Sequence, residues 1–369
     1  MSFPTFSATT TAEEVADAFA QQIRGKNVLI TGTSLNGIGY ETSRVIAKYA
    51  NLVIITGYNA ARLNLTEKTI KSSLNTTPIA TIRQLHLDLT SLDSVRSAAA
   101  EVNAYPEPLH VLIHNAASAG GPLHLTPPNN LESQMATALF GPFLLTKLLY
   151  PKLLASTSTS TSSLLHGAVT STSTSTSKPR IIIVTSRAHA FLPSSSSPNS
   201  TFPLPLDDSG AYLARGPANP GEFSSARRYV ESKAANAVWA VEFARRAARG
   251  REGSVGVFSL HPGDIYTNIM QKEQNRVDLI GMGILNPDGT PAADKHTFKS
   301  IPQGAATFVH AFCVSVSRST TKKYLDHSGS HLWDCAIAND KLAPFLHDED
   351  AGKKLWEIAE EVVGERFEL

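Results

Sequence analysis

Short runs of aliphatic and β-branched residues recur along the chain, and longer stretches with a helical repeat of apolar positions separate them. Six of these runs are nearly all apolar rather than alternating, as in strands that are buried on both faces. Such strands joined by helices predict an α/β fold built on a doubly wound parallel sheet. The predicted strands are 27–31, 51–56, 81–87, 111–115, 180–185 and 254–261, and the main predicted helices between them are 39–50, 92–102, 135–154 and 226–248.

The remaining segments predict one domain with additions. Thr11 followed by Glu14 has the spacing of a capping box and predicts a lead-in helix within residues 1–25, ahead of a single domain over 26–369. An almost pure Ser/Thr stretch predicts a low-complexity surface insertion, and a segment rich in Ser, Pro and Gly predicts a flap. The tail is expected to form a substrate lid followed by packing helices. These three segments are 156–177, 190–225 and 268–369, with tail helices near 303–316 and 351–363.

Composition excludes several classes of protein. With 369 residues, of which 42% are hydrophobic and 18% charged, the chain can bury a sizeable core. Its 33 basic and 32 acidic residues give a net charge of +1, so no nucleic-acid-binding surface is expected. No run approaches the ~18 apolar residues of a membrane span, and no signal peptide is expected. Two cysteines cannot form a disulfide framework, which favours a cytoplasmic location.

A glycine-rich loop follows the first predicted strand. Gly32, Gly37 and Gly39 lie within residues 31–39, TGTSLNGIG, and lead into a helix. Backbone N–H groups at such a helix start, together with the positive end of the helix dipole, form a binding site for a pyrophosphate. A glycine cluster at a strand-to-helix turn also occurs for purely structural reasons, so the flanking residues have to decide.

The second predicted strand ends without an acidic residue. A carboxylate at this point usually binds the ribose hydroxyls of NAD, and here the sequence is Gly57, Tyr58 and Asn59. No negative charge therefore repels a 2′-phosphate, and Arg62 follows one helical turn later. We expect NADPH as the cofactor, with NADH as the alternative. Arg62 could equally be a solvated surface residue, so the missing acid is the stronger indication.

Tyr229 and Lys233 lie four residues apart near the start of a predicted helix, so they share one of its faces. An ammonium group beside a phenol lowers the pKa of the phenol toward the working pH, which suits proton exchange with a carbonyl or alcohol oxygen. Ser186 ends the fifth predicted strand, at the edge where ligands bind in such sheets. These three residues are the predicted catalytic group.

Taken in order, the motifs resemble those of the short-chain dehydrogenase/reductase family over about 240 residues, 27–267. The glycine loop is followed by LDL at 87–89, HNAA at 114–117, VTS at 184–186, YVESK at 229–233 and HPGDIYT at 261–267. Several segments are most similar to the retinol-dehydrogenase-like and WW-domain-oxidoreductase-like branch, particularly its fungal members. The resemblance implies a Rossmann-type sheet and a nicotinamide cofactor.

The resemblance also implies roles for individual residues. Tyr229 would be the acid/base, Lys233 would hold the nicotinamide ribose, and Ser186 would bind the substrate oxygen. Asp88 would contact the adenine. The residues expected to bind the cofactor are Gly32, Ser34, Gly37, Ile38, Gly39, Arg62, Asp88, Leu89, Asn115, Ala116, Tyr229, Lys233, Pro262, Gly263, Ile265 and Thr267.

One departure from the family pattern bears on activity. Ala138 stands where the family commonly has an asparagine that carries a water of the proton relay. Two readings follow: an active oxidoreductase with a rebuilt relay, or a cofactor-binding regulatory or scaffold protein with weak or no catalysis. The retained Ser186, Tyr229 and Lys233 favour the enzyme.

The tail bears on the substrate and on metal binding. His327, His331 and Cys335 would stack on a helix, but Ser328, Gly329 and Ser330 argue against one, so no metal is expected. No feature of the sequence indicates an oligomeric state. Apolar side chains in the predicted lid favour a small apolar ketone, aldehyde or alcohol, although they could simply pack on the domain. They are Ile269, Met270, Leu279, Ile280, Met282 and Ile284.

Overall fold

The computed structural model describes residues 4–74, 80–157, 178–192, 203–250, 255–313 and 328–369. The strands in these ranges form an eight-stranded sheet and a separate two-stranded antiparallel pair. The strands of the main sheet are β1 (Asn27–Ile30), β2 (Leu52–Gly57), β3 (Thr81–His86), β4 (Val111–His114), β7 (Arg180–Val184), β8 (Gly256–His261), β9 (His331–Trp333) and β10 (Ala336–Ile337), and the pair is β5 (Leu125–Thr126) and β6 (Leu131–Glu132).

Helices connect these strands. They are α1 (Ala12–Ala18), α2 (Ala20–Ile23), α3 (Ile38–Ala47), α4 (Ala60–Ser73), α5 (Leu92–Ala104), α6 (Ser133–Met135), α7 (Gly141–Ala155), α8 (Ala211–Arg215), α9 (Ser225–Arg249), α10 (Asn268–Gln271), α11 (Glu273–Gly281), α12 (Ile301–Cys313) and α13 (Glu349–Val363). A π-helical turn, Ala136–Phe140, joins α6 to α7, and 3-10 helices span Arg187–Phe191, Pro220–Glu222, Asn339–Lys341 and Pro344–His347.

The strand order across the main sheet is β10-β9-β8-β7-β4-β1-β2-β3. All neighbours are parallel except β10, which is antiparallel to β9. The order reverses between β1 and β4, and in such sheets ligands bind beyond the carboxyl ends of the strands at that reversal. The predicted Rossmann-type fold is confirmed, and the glycine loop lies at the reversal because it follows β1.

Two hydrophobic cores cover the two faces of the sheet. One contains side chains of α5, α7, α9 and α13, including Phe143, Trp239 and Trp356. The other contains side chains of α1, α3 and α12. The strands between them are nearly all apolar because both of their faces are covered, as predicted.

The six predicted strands are present, each within two residues of its predicted bounds. Thr11 and Glu14 form the predicted capping box at the start of α1. The sequence did not predict β9 and β10, because strands of two or three residues are too short to show a period. Residues 158–177 of the predicted insertion, 193–202 of the predicted flap and 314–316 of a predicted helix lie outside the described residues.

In the described part of the chain, one helical stretch, Ser133–Ala155, has the length and hydropathy of a membrane-spanning helix. Its mean hydropathy is 1.2, and 67% of its most apolar window is buried inside the protein. Burial on this scale is typical of the core helix of a globular domain.

Candidate active site

The glycine loop makes a tight turn between β1 and α3. Gly32 has a φ of +71°, and a Cβ on it would lie 2.8 Å from the Cα of Ala116. A Cβ on Gly39 would lie 2.5 Å from both the side-chain nitrogen of Asn115 and the carbonyl oxygen of Gly32. These positions require glycine because the end of β4 packs directly against the loop.

Two polar clamps hold this loop to the neighbouring strands. The Asn115 side chain donates to the carbonyl oxygens of Thr31 and Gly32 at 2.9 and 2.8 Å, and the Thr31 hydroxyl accepts from the N–H groups of Asn115 and Ala116. On the other side, Gly32 N–H donates to the Thr56 hydroxyl at 3.1 Å. Sequence reasoning missed Thr31 and Thr56 as clamps, since only the fold brings these strand ends together.

The arrangement fits the pyrophosphate of a dinucleotide. Gly37 is the N-cap of α3 and provides no side-chain hydrogen bond to the first helical N–H groups. Those groups, with the helix dipole behind them, suit an anion. Ser34 is exposed on this loop, and Ile38 begins the helix. The predicted phosphate-binding residues therefore lie together around one helix start.

At the end of β2, Asn59 caps α4 and accepts a hydrogen bond from the backbone N–H of Arg62. Arg62 lies on the first turn of α4 and is exposed, and its side chain forms no ion pair with another described residue. Helix α4 contacts the glycine loop through Thr66, whose hydroxyl donates to the Thr33 carbonyl. Arg62 is thus free to reach a phosphate beyond the end of β2.

The predicted adenine contacts follow β3. Asp88 is half-buried, and one of its carboxylate oxygens accepts from the N–H and the hydroxyl of Thr90 at 2.9 and 2.7 Å. Leu89 is buried against the start of α7, where Gly141 allows a close approach of the two backbones. These contacts fix the loop that would border an adenine ring.

The three predicted catalytic residues are brought together beyond β7. The Ser186 side chain lies close enough to Tyr229 to lower the pKa of its phenol, and the Lys233 Nζ lies 5.7 Å from the centre of the Tyr229 ring. Lys233 donates to the Val184 carbonyl at 3.1 Å, and Thr185 donates to the Lys233 carbonyl at 2.6 Å. Helix α9 is therefore fastened to the end of β7 at the catalytic group.

Burial controls the ionisation of this group. It raises the pKa of Tyr229 above its usual value, with the charge of Asp264 adding to the rise and the nearby Ser186 side chain opposing it. Burial lowers the pKa of Lys233 to about 8. The direction for Tyr229 is opposite to the lowering predicted from its spacing to Lys233, because desolvation of the phenolate outweighs the other influences. At neutral pH the phenol is protonated, the form that donates to a carbonyl oxygen.

A buried ion-pair network anchors the start of α9. Arg228, next to Tyr229 in the chain, is 2% exposed and donates to Glu132 at 2.7 Å and to the Leu213 carbonyl at 2.6 Å. Its other partner is Glu231, at 3.3 Å. Because every one of these groups is hydrogen-bonded, the network is tolerated in the core and fixes the helix.

A polar cavity of about 250 Å³ lies beside this network. Its lining does not include Ser186, Tyr229 or Lys233, so we do not assign the substrate to it. It is lined by Tyr212, Pro217, Glu222, Phe223, Ser224, Arg227, Arg228 and Glu231.

The segment after β8 closes the other side of the site. Pro262 and Ile265 are buried, and Gly263 has a φ of +99°. Thr267 is the N-cap of α10, and the neighbouring Asn268 donates to the Leu35 carbonyl of the glycine loop at 2.5 Å. The predicted nicotinamide contacts therefore lie next to the predicted phosphate contacts.

An ion pair that sequence reasoning missed lies next to Ser186 in the chain. Arg187 follows Ser186 and pairs with Asp264 at 2.5 Å. Both side chains are partly exposed. The residues come from different strand ends, and only the parallel pairing of β7 with β8 brings them together.

The predicted absence of a metal site concerns His327, His331 and Cys335. His327 lies outside the described residues, and His331 is in a strand, where its ring bonds to the Ser259 hydroxyl at 2.9 Å. Cys335 has a φ of +59° and is buried. Among the described residues, no group of three or more His, Cys, Asp or Glu side chains could hold a metal ion.

Comparisons of the sequence find similar proteins. A family model described as short chain dehydrogenase matches residues 26–187. Similar proteins include short-chain dehydrogenase TIC 32 A, chloroplastic, from Brassica napus, which is 29% identical over 97% of this chain and 94% of its own length. Retinol dehydrogenase 14 from Mus musculus is 28% identical over 93% and 87%, and the Homo sapiens WW domain-containing oxidoreductase is 26% identical over 98% and 73%.

The fold is also shared with solved structures. NADPH-bound carbonyl reductase from chicken fatty liver has a TM-score of 0.53 and 19% sequence identity to this chain, covering 85% of this chain and 94% of that one. At 19% sequence identity, this similarity shows a shared fold and nothing about the reaction.

Proposed function

We propose that the chain is an oxidoreductase of the short-chain dehydrogenase/reductase family, and that it is an NADPH-dependent carbonyl reductase, or alcohol dehydrogenase in reverse, acting on apolar ketones, aldehydes or alcohols. The observation that carries the proposal is the grouping of Ser186, Tyr229 and Lys233 at the end of β7, beside the glycine loop at the sheet reversal. Retention of all three side chains favours catalysis over cofactor binding alone.

When bound, the cofactor supplies the hydride. In the direction of reduction, the Ser186 hydroxyl holds the substrate carbonyl oxygen, and the Tyr229 phenol donates its proton to that oxygen. Lys233 holds the nicotinamide ribose and, as an ammonium, stabilises the phenolate that remains. The pKa of Lys233, lowered to about 8, leaves it mostly protonated at pH 7.

Preference for NADPH rests on the end of β2. No carboxylate follows Gly57, and Arg62 is exposed on the first turn of α4. A guanidinium binds phosphate well because its planar fork matches the phosphate oxygens. The carbonyl reductase from chicken fatty liver, which shares this fold, is NADPH-bound in its crystal structure.

Preference for an apolar substrate rests on the lid. Ile269, Met270, Leu279 and Ile280 are only partly buried, and Met282 is 54% exposed. Apolar side chains left uncovered beside a site supply the burial that a hydrophobic ligand needs. The charges of Arg187 and Asp264, beside Ser186, neutralise each other, so this pair does not require a charged substrate.

The test is a binding and turnover experiment with the full chain. We expect NADPH to bind more tightly than NADH, Arg62→Ala to weaken NADPH alone, and NADPH to be consumed with apolar ketones, aldehydes or retinoids. Lys71→Ala, which removes an exposed cation at the far end of α4, is the matched control. Equal affinity for NADH and NADPH would contradict the preference for NADPH. Faster turnover of small polar substrates would contradict the apolar substrate. Binding without any turnover would instead support a regulatory or scaffold protein.

For location we propose the cytoplasm. Both cysteines, Cys313 and Cys335, are free and buried, which suits a reducing compartment. The Brassica napus relative is named as chloroplastic, so imaging of the tagged full chain has to distinguish the cytoplasm from an organelle.

A further inference from the structure

A buried asparagine lies between Lys233 and the π-helical turn. Asn236 is on α9, three residues after Lys233, and is 3% exposed. Its side-chain nitrogen donates to the Ala138 carbonyl at 2.6 Å, and its side-chain oxygen is 3.5 Å from the Lys233 Nζ. One amide thus contacts both the backbone of Ala138 and the ammonium group.

The Ala138 carbonyl lacks the partner that an α-helix would provide. The residue four positions later, Pro142, has no N–H to donate. The turn Ala136–Phe140 is π-helical and buried. A buried carbonyl needs a donor, and Asn236 supplies it from another helix.

We propose that Asn236 is a positioning residue for Lys233, and that its amide provides the link between Ala138 and Lys233 for which the family commonly uses an asparagine at position 138 and a water. This proposal rests on the proposed function in one respect, which is that Lys233 stabilises the phenolate of Tyr229 during the reaction. The Asn236 oxygen directs the ammonium, and the bond to Ala138 prevents the amide from rotating away.

Few groups around Lys233 can accept a hydrogen bond from its ammonium group. The Val184 carbonyl faces it from β7, and Tyr229 lies beside it on α9. The negative charge of Asp264, which follows β8, raises the pKa of Tyr229. No described carboxylate forms an ion pair with Lys233, so a carbonyl and an amide oxygen are its acceptors. Burial disfavours the protonated form of Lys233 and so lowers its pKa. Each oxygen that accepts a hydrogen bond from the ammonium group opposes this lowering.

Two variants separate positioning from a purely structural bond. Asn236→Leu keeps the approximate size and removes both polar arms, whereas Asn236→Asp keeps an acceptor facing Lys233 and adds charge. The control is Asn103→Leu, because Asn103 on α5 also donates to a carbonyl of α7, that of Leu148 at 3.1 Å, away from the catalytic group.

The first measurement is the pH dependence of kcat for carbonyl reduction with NADPH. In Asn236→Leu we expect the alkaline decline to begin about one pH unit lower, and kcat at pH 7 to fall about twofold with little change in KM, because a smaller fraction of Lys233 is then protonated. In Asn236→Asp the alkaline decline of kcat should begin about one pH unit higher than in the parent. Asn103→Leu should keep the parent profile. An Asn236→Leu enzyme with the parent's kcat and decline would overturn the proposal.

The second measurement needs no turnover. The stability difference between the parent and Lys233→Met changes with pH from the pKa of Lys233 in the folded protein upward. Repeating this comparison in the Asn236→Leu background should move that onset to lower pH, and an unmoved onset would contradict the proposal. If the parent turns over no compound, the proposed function fails, while the positioning of Lys233 is still decided by this onset.

Discussion

The side-chain nitrogen of Asn115 lies 2.8 Å from the carbonyl oxygen of Gly32, and this hydrogen bond ties the end of β4 to the end of β1. The same amide fills the space over Gly39. The Asn115 side chain therefore holds the glycine loop, the end of β4 and the start of α3 together. The loop cannot move without breaking a hydrogen bond that is largely shielded from water.

Gly39→Ala should weaken cofactor binding. The new methyl would meet Asn115 and the Gly32 carbonyl at 2.5 Å, so the loop has to shift, and we expect the Kd for NADPH to rise about tenfold or more. Titration of NADPH fluorescence measures it. Gly281→Ala is the control, since its methyl meets nothing within 4 Å and it lies outside the cofactor loop. An unchanged Kd in Gly39→Ala would contradict the assignment of this loop.

Tyr229→Phe should nearly abolish turnover. Loss of the phenolic proton donor forfeits general acid catalysis worth ~10²–10⁴-fold in kcat, while NADPH binding is largely retained. Stopped-flow or steady-state NADPH consumption gives the ratio. Tyr49→Phe removes a phenol that bonds to Asp17 on α1, far from the site, and should stay active. A folded Tyr229→Phe protein with most of the parent rate would refute the proposed acid.

Lys233→Met should change the pH dependence of stability. Burial lowers the pKa of Lys233 from 10.5 to about 8, so between these values the folded state binds fewer protons than the unfolded state. The penalty of the buried ammonium is thus complete below pH 8 and disappears toward pH 10.5. Relative to Lys233→Met, the parent should gain about 3 kcal/mol over this interval. Urea unfolding at several pH values measures it, and parallel curves would contradict it.

Glu132→Leu should destabilise the protein strongly. The substitution leaves Arg228 buried with one carboxylate partner fewer, at a cost of about 3–5 kcal/mol. Lys353→Ala breaks an ion pair whose Asp350 is 94% exposed, and should cost less than about 0.5 kcal/mol. Denaturant midpoints compare the two. Similar costs for both substitutions would show that the network around Arg228 does not hold α9.

Local sequence was sufficient for the elements and for much of the predicted site. Continuous apolar runs predicted the six main strands because burial on both faces leaves no polar alternation. Thr11 and Glu14 predicted the start of α1 because a capping box acts within one turn. Glycine spacing after β1, and the Tyr229–Lys233 spacing on one helix, depend on residues a few positions apart, and both lie at the carboxyl ends of the strands as expected.

Contacts between distant segments depended on the tertiary structure. The Asn236–Ala138 bond spans 98 positions, and the Arg187–Asp264 pair spans 77. Burial, which raises the pKa of Tyr229 and lowers that of Lys233, also depends on what packs around α9. The sequence by itself determined the strands, the helix start and the spacing of the candidate residues, because periodicity, caps and turns act locally. Only the tertiary structure decided which of them touch and how they ionise, because desolvation and cross-strand hydrogen bonds exist only once the sheet is assembled.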